Sequence, residues 1–131
     1  MTLMSMTEGR PVFAAGVAVA PVTSYRYYDS VYTERYMRTP RENAAGYDDN
    51  PITRAAKLNG SLLICHGTAD DNVHLRNTAE LTEAFVQADK PFHQLIYTNR
   101  NHSIYGGNTR LHLYRSITNW FQQMRLPKAH N

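Results

Sequence analysis

Short, mainly apolar runs alternate along this chain with stretches whose apolar residues recur every three or four positions, the pattern of a parallel sheet whose strands are joined by helices. Ala14-Ala15-Gly16-Val17-Ala18-Val19-Ala20, closed by Pro21, predicts a central strand buried on both faces, with side chains small enough for helices to sit close. Leu62 to Cys65 and Phe92 to Tyr97 predict two more strands. Between them, Leu81, Ala84, Phe85 and Ala88 share one face of a helix predicted from about Leu75 to Ala88. A last helix is predicted from about Arg110 to Arg125, burying a stripe of Leu113, Ile117, Trp120, Phe121 and Met124. Shorter helices are expected at Met1 to Thr7, ended by Gly9 and Pro11, and at Ile52 to Leu58, stopped by Asn59-Gly60. Another starts at Thr23 or Ser24 and stacks Tyr28, Val31 or Tyr32, and Tyr36. Thr39 to Pro51 is polar and turn-rich and reads as a connecting excursion. The fold class that follows is α/β, with about three parallel strands flanked by helices.

A helical crossover between the second and third strands makes them parallel, so the loops that follow both strands open on one edge of the sheet. Those loops are His66-Gly67-Thr68-Ala69-Asp70-Asp71-Asn72-Val73 and Asn99-Arg100-Asn101-His102. A carboxylate and then a histidine, delivered by successive strand ends, are the acid and base of the nucleophile, acid, histidine order of α/β-hydrolases. A plainer reading stands beside it. Asp-Asp-Asn after a strand is also an ordinary turn and helix cap, and a loop histidine beside asparagine is an ordinary polar surface residue. Asp71 competes with Asp70, and periodicity does not separate them. The 131 residues contain no Gly-x-Ser-x-Gly, and Ser5, Ser24, Ser30, Ser61, Ser103 and Ser116 lack the context of a nucleophile elbow.

Length and composition narrow the classes further. At 131 residues and 42% hydrophobic, the chain supports a folded core but is shorter than the roughly 200 residues of a complete α/β-hydrolase. The formal charge of +3 comes from scattered Lys and Arg, without the run or one-sided stripe that nucleic-acid binding calls for. The single cysteine, Cys65, forms no internal disulfide and closes an apolar strand, which suits a buried thiol. Six histidines invite a metal reading, yet there is neither His-Glu-x-x-His nor Cys-x-x-Cys, so no metal or cofactor is expected. Gly106-Gly107 lacks the lysine of a phosphate loop and reads as a helix start. No secretory signal is visible, and the longest apolar stretch, Val12 to Val22, is too short to cross a bilayer.

Three segments carry a resemblance that spans essentially the whole chain in order and spacing: Ala18-Val19-Ala20-Pro21-Val22, Tyr27-Tyr28-Asp29-Ser30-Val31-Tyr32-Thr33-Glu34-Arg35-Tyr36-Met37, and His66-Gly67-Thr68-Ala69-Asp70-Asp71-Asn72-Val73-His74. They resemble the prolyl oligopeptidase family of serine peptidases, in the C-terminal part of its α/β-hydrolase domain. The resemblance implies that Asp70 is the triad acid, with Asp71 structural, and that His102 is the base, although Ser103 stands where a glycine often follows that histidine. It implies a pocket for a penultimate proline walled by Tyr28 and Tyr32, helped by Val22, Tyr25 and Val73, and an Asn72 amide donated to a substrate carbonyl. Arg35 resembles a position at the substrate end of the cleft, or simply pairs with Glu34 or Asp29. The implied activity is removal of X-Pro or X-Ala dipeptides from peptide N-termini. Residues 1–131 would then be a partial hydrolase domain, with the family's serine elbow and β-propeller expected upstream of Met1 and the chain alone inactive. The implied partners are the peptide substrate and a second copy in a homodimer, and the implied location of whole relatives is periplasmic, membrane-anchored or secreted. The alternative is a non-catalytic dimerisation or binding module derived from such a domain.

Overall fold

The computed structural model describes residues 1–125 of the chain. Its middle strand, β2 (Ser61–Gly67), is buried along nearly its whole length, as a strand flanked by layers on both faces must be. On one side β2 pairs in parallel with β1 (Ala15–Val19), in a register that sets Val17 opposite Leu63. On the other it pairs in parallel with β3 (His93–Tyr97), with Cys65 opposite Leu95. The order is therefore β1-β2-β3, and β1 is an edge strand of this sheet rather than the expected central one. Val19, 43% exposed, shows the consequence.

Alternation along β2 divides the core in two. Leu62 and Ile64 face α1 (Thr2–Met6) and α4 (Arg76–Gln87), packing with Leu3, Met6, Leu58, Leu81 and Phe85. Leu63 and Cys65 face the opposite side, against Ile104 and the Leu113 and Trp120 side chains of α5 (Thr109–Arg125). Helices thus cover both faces, as the apolar periodicity predicts.

Four details depart from the pattern-based expectations. The aromatic stretch is not one helix: Ser24 caps a 3-10 turn at Tyr25–Tyr27, and Asp29 caps a separate helix, α2 (Ser30–Met37), by accepting the Val31 amide. Local side-chain capping overrides the helical spacing of the tyrosines. The polar excursion contains a helical turn, α3 (Ala44–Asp48), capped by Asn43. Within Ile52 to Leu58, only Ala55–Lys57 is helical, as a 3-10 turn. On α5, Leu113 and Trp120 are buried, but Phe121 and Met124 are 40% and 38% exposed. Among the described residues, no helix is long and apolar enough to cross a membrane.

Candidate active site

The same alternation that sorts the core also builds the site. Past Cys65, His66 continues the Leu62 and Ile64 face toward α4, and Gly67 continues the opposite face, where the chain after β3 passes across it. A side chain at Gly67 would overlap the Arg100 carbonyl, so only glycine admits this approach. Two bonds close the gap: the Thr68 amide donates to the Tyr97 carbonyl, and the Ala69 amide to the Arg100 carbonyl, both at 3.0 Å. The loops bearing Asp70 and His102 are thereby stitched together at the carboxyl ends of adjacent strands.

Asp70 is 3% exposed and its carboxylate is fully engaged. Oδ1 accepts the backbone amides of Asn72 at 3.0 Å and Val73 at 2.7 Å, an Asx-type turn that also fixes the side-chain rotamer. Oδ2 faces His102 Nδ1 at 2.8 Å and His66 Nε2 at 3.2 Å. Burial pushes the Asp70 carboxyl up. The hydrogen bond from His102, the Val73 amide, the charge His102 carries when protonated and the Asn72 amide outweigh that, and hold it below its ordinary value. Asp71, by contrast, is exposed, so the structure separates two residues that periodicity could not.

His102 sits between two residues with left-handed backbone, Asn99 (φ 53°) and Ile104 (φ 46°). Asparagine tolerates that region, whereas a β-branched isoleucine is strained there and must be held by its surroundings. Ile104 is fully buried against Leu63, Cys65, Leu113 and Trp120, so the core itself pins the turn that follows the histidine. With Nδ1 committed to Asp70, the imidazole is 42% exposed, and Nε2 has no hydrogen-bond partner among the described residues. A base oriented at one nitrogen and open at the other can accept a proton from a hydroxyl brought to it.

The aromatic segment meets this pair through Asn72. Tyr28 donates its hydroxyl to Asn72 Oδ1 at 2.9 Å, which leaves the amide NH2 of Asn72 free to donate. The Tyr28 and Tyr32 rings meet edge to face at 5.5 Å between centroids, and Tyr25 meets Tyr28 in the same manner at 6.4 Å. Val22 and Tyr25 also line a cavity of about 210 Å³ with Met4, Thr23, Met37 and Pro51, rather than one shared with Tyr28 and Tyr32. Val73 is 3% exposed, and its backbone serves the Asp70 turn. Arg35 lies 5.8 Å from the centroid of the Tyr36 ring and, among the described residues, forms no ion pair with Glu34 or Asp29.

Sequence reasoning missed His66, which is buried beneath Asp70 with Nδ1 2.7 Å from Thr78 Oγ1. Its signal was the apolar alternation Leu62, Ile64, His66, which aims a histidine into the core. Burial pushes the Cys65 thiol up to about 11, as befits a core residue rather than a nucleophile. Among the described residues, no three His, Cys, Asp or Glu side chains converge as a metal site.

Comparison with known proteins places this geometry in context. A family described as "Prolyl oligopeptidase family" matches residues 1–126. The crystal structure of Porphyromonas gingivalis dipeptidyl peptidase 4 superposes with a TM-score of 0.91 at 57% identity, over 93% of this chain and 18% of that one. Two fungal proteins named "Probable dipeptidyl-aminopeptidase B" are also similar. The one from Grosmannia clavigera is 47% identical over 82% of this chain and 11% of its own length. The one from Ajellomyces dermatitidis is 42% identical over 92% and 14%. The chain thus spans a small part of each relative.

Proposed function

Because the chain belongs to the prolyl oligopeptidase family, we propose that it is the acid- and base-bearing part of a serine dipeptidyl peptidase that releases X-Pro and X-Ala dipeptides from peptide N-termini. The observation that carries this reading is the pair formed by buried Asp70 and His102, whose Nε2 is left open, with Asn72 joining the Asp70 turn to the Tyr28 hydroxyl. In this reading the serine, its elbow and the β-propeller belong to the part of the enzyme N-terminal to the matched segment. His102 Nε2 takes the serine proton as the hydroxyl attacks the scissile carbonyl, and Asp70 stabilises the imidazolium that forms. His102 then gives that proton to the leaving amine, and water hydrolyses the acyl-enzyme by the same exchange in reverse.

The tyrosines supply selectivity. The edge-to-face pair of Tyr28 and Tyr32 offers flat apolar surface to a proline ring, and alanine enters the same space with less contact. Tyr25, edge to face with Tyr28, extends that wall in the proposal. The Asn72 amide, turned outward because Tyr28 occupies its oxygen, donates to a substrate carbonyl. A homodimer is proposed through the outer side of α5, where Leu111, Tyr114, Phe121 and Met124 are exposed.

The test is a chimera in which this chain replaces the matching segment of the Porphyromonas gingivalis enzyme. Hydrolysis of a Gly-Pro chromogenic peptide, blocked by a fluorophosphonate and lost in the His102→Ala chimera, is the expected result. A folded chimera that binds the fluorophosphonate nowhere and leaves the peptide intact would overturn the reading. The 131-residue chain alone, without an elbow serine, is expected to turn over neither peptide nor ester. Light scattering that finds the active chimera monomeric would remove the α5 dimer.

A further inference from the structure

His66 is fully buried, yet the mechanism above gives it no task. Its surroundings settle where its proton lies. Nε2 is 2.7 Å from the Val73 carbonyl and 3.2 Å from Asp70 Oδ2, and neither the carbonyl nor an ionised carboxylate can donate, so Nε2 carries the hydrogen. On the far side of the ring, Nδ1 is 2.7 Å from the Thr78 hydroxyl of α4. That hydroxyl has no other hydrogen-bond acceptor among the described residues, which suits it to donate to Nδ1 of a ring that carries its hydrogen on Nε2.

We infer that His66 is a positioning residue for the acid: a neutral imidazole whose Nε2–H, shared between Asp70 Oδ2 and the Val73 carbonyl, sets the carboxylate in the orientation His102 needs. The inference rests on the reading of Asp70 and His102 as the acid and base.

Its physical basis is a complete set of donors. A carboxylate has about four lone-pair sites. Those of Asp70 are met by the Asn72 and Val73 amides on Oδ1 and by His102 and His66 on Oδ2. Without the fourth donor Oδ1 stays anchored by the Asn72 and Val73 amides, but Oδ2 is held by His102 alone and its direction toward Nδ1 of His102 is less closely set. The second acceptor of Nε2, the Val73 carbonyl, belongs to the same turn, so one N–H ties the side chain and the backbone of residues 70–73 together. A cationic side chain at this place would compete with His102 for the carboxylate charge, whereas a neutral donor supports that charge without competing. The groups facing the ring agree with this role: α4 offers the uncharged Thr78, and the loop offers Asp70 with His102 beyond it. Placement follows from the strand, because only a residue two positions beyond Ile64 on β2 points both at α4 and at the turn after Gly67.

The test compares two polar variants of the 131-residue chain by NMR. His66→Gln extends an amide to about the position of Nε2 and keeps a donor on Asp70. His66→Asn stops at about the position of Nδ1, keeping the Thr78 bond and withdrawing the donor. The Asn variant is expected to raise the Asp70 carboxyl titration and to broaden away the downfield His102 Nδ1 proton, while Gln keeps both near the original. In the unaltered chain the His66 ring nitrogens are expected to report a neutral ring protonated on Nε2. A folded Asn variant with unchanged Asp70 titration, or Gln and Asn variants that behave alike, would overturn the inference. So would a His66 protonated on Nδ1 in the unaltered chain, a measurement that decides the matter even where a variant does not fold. None of these readouts uses turnover, so an inactive chimera and a wrong role for His66 are told apart.

Discussion

The turn that carries Asp70 and the segment that carries the tyrosines both serve the proposed site, but they are built in opposite ways. Asp70 is buried in the loop just past the end of β2, with hydrogen bonds to both oxygens and a neighbouring loop stitched across Gly67. The tyrosine segment lies mostly on the surface, with Tyr32 50% and Tyr36 68% exposed. It is tethered at points: Thr23 is bonded to the buried Asn77 at the start of α4, Arg26 is paired with Asp48, and the Tyr28 hydroxyl reaches Asn72. In the proposed mechanism the groups that orient and move protons are anchored to the core, because transfer depends steeply on distance. Groups that meet a side chain of variable size are held more loosely. Substitutions in the first region should therefore act on catalysis and folding together, and those in the second on binding alone.

The largest effect is expected at the acid itself. Asp70→Asn keeps the shape of the turn but offers His102 Nδ1 an amide that can present its own N–H, so the tautomer is no longer fixed. In the active chimera kcat should fall about 10⁴-fold with a small change in KM. Asp71→Asn, an equal change of charge at an exposed neighbour, should alter neither by more than a few fold. Equal losses from the two substitutions would remove the distinction between a buried acid and a surface cap.

Gly67→Ala comes next, because its added methyl overlaps the Arg100 carbonyl and pushes the His102 loop from the Asp70 loop. An ångström of misplacement costs about 10²-fold in rate. Overpacking of this kind also costs about 1–3 kcal/mol of stability, read as a lower Tm of the 131-residue chain. A fall in Tm with full activity would show that the two loops are positioned independently.

Acid should also distinguish the regions. The Asp70 carboxyl is held below its ordinary 3.8, so in the pH range between its folded and unfolded values the unfolded chain binds more protons. Its contribution to stability is accordingly complete above about pH 3.8 and is lost as pH falls through the lower, folded value. Acid unfolding followed by circular dichroism should therefore lose part of its pH dependence in Asp70→Asn. Tyr32→Ala should leave that dependence as it is.

The contrast also explains what the sequence could disclose. β2, β3 and α4 are legible because apolar residues cluster in two short runs and recur at the helix period between them, and the site inherits its edge of the sheet from that topology. The choice between Asp70 and Asp71 is not, since both lie in one polar turn and only the backbone path decides which side chain turns inward. The helix through the tyrosines is misread for a related reason. Tyr28, Tyr32 and Tyr36 are spaced like a helix face, but Asp29 caps between them, and in an exposed segment a single capping bond outweighs a weak periodicity. Phe121 and Met124 have the spacing of a buried stripe, but on an exposed stretch of α5 period alone does not tell inner from outer face. His66 hides behind the strand pattern, because one polar residue ending an apolar run looks like the strand's exit rather than a support for the residue four positions on.

The smallest and most selective effect is expected at Tyr28. Replacing it with phenylalanine removes the hydroxyl that holds Asn72 Oδ1 at 2.9 Å and leaves the ring contact with Tyr32 in place. Because both polar groups lie at the surface, water replaces the lost bond in the free protein, and unfolding stability should stay within about 0.5 kcal/mol of the original. The bound complex is another matter. Asn72 can then rotate its amide, and half of its orientations present oxygen rather than NH2 to the substrate carbonyl. A lost neutral hydrogen bond of about 0.5–1.5 kcal/mol corresponds to a rise in KM of about two- to tenfold for a Gly-Pro substrate, with kcat nearly unchanged. A fall in kcat without a rise in KM would mean that the Tyr28 and Asn72 bond acts through Asp70, whose Oδ1 accepts the Asn72 amide, and that the loosely tethered region shares the work of the buried one.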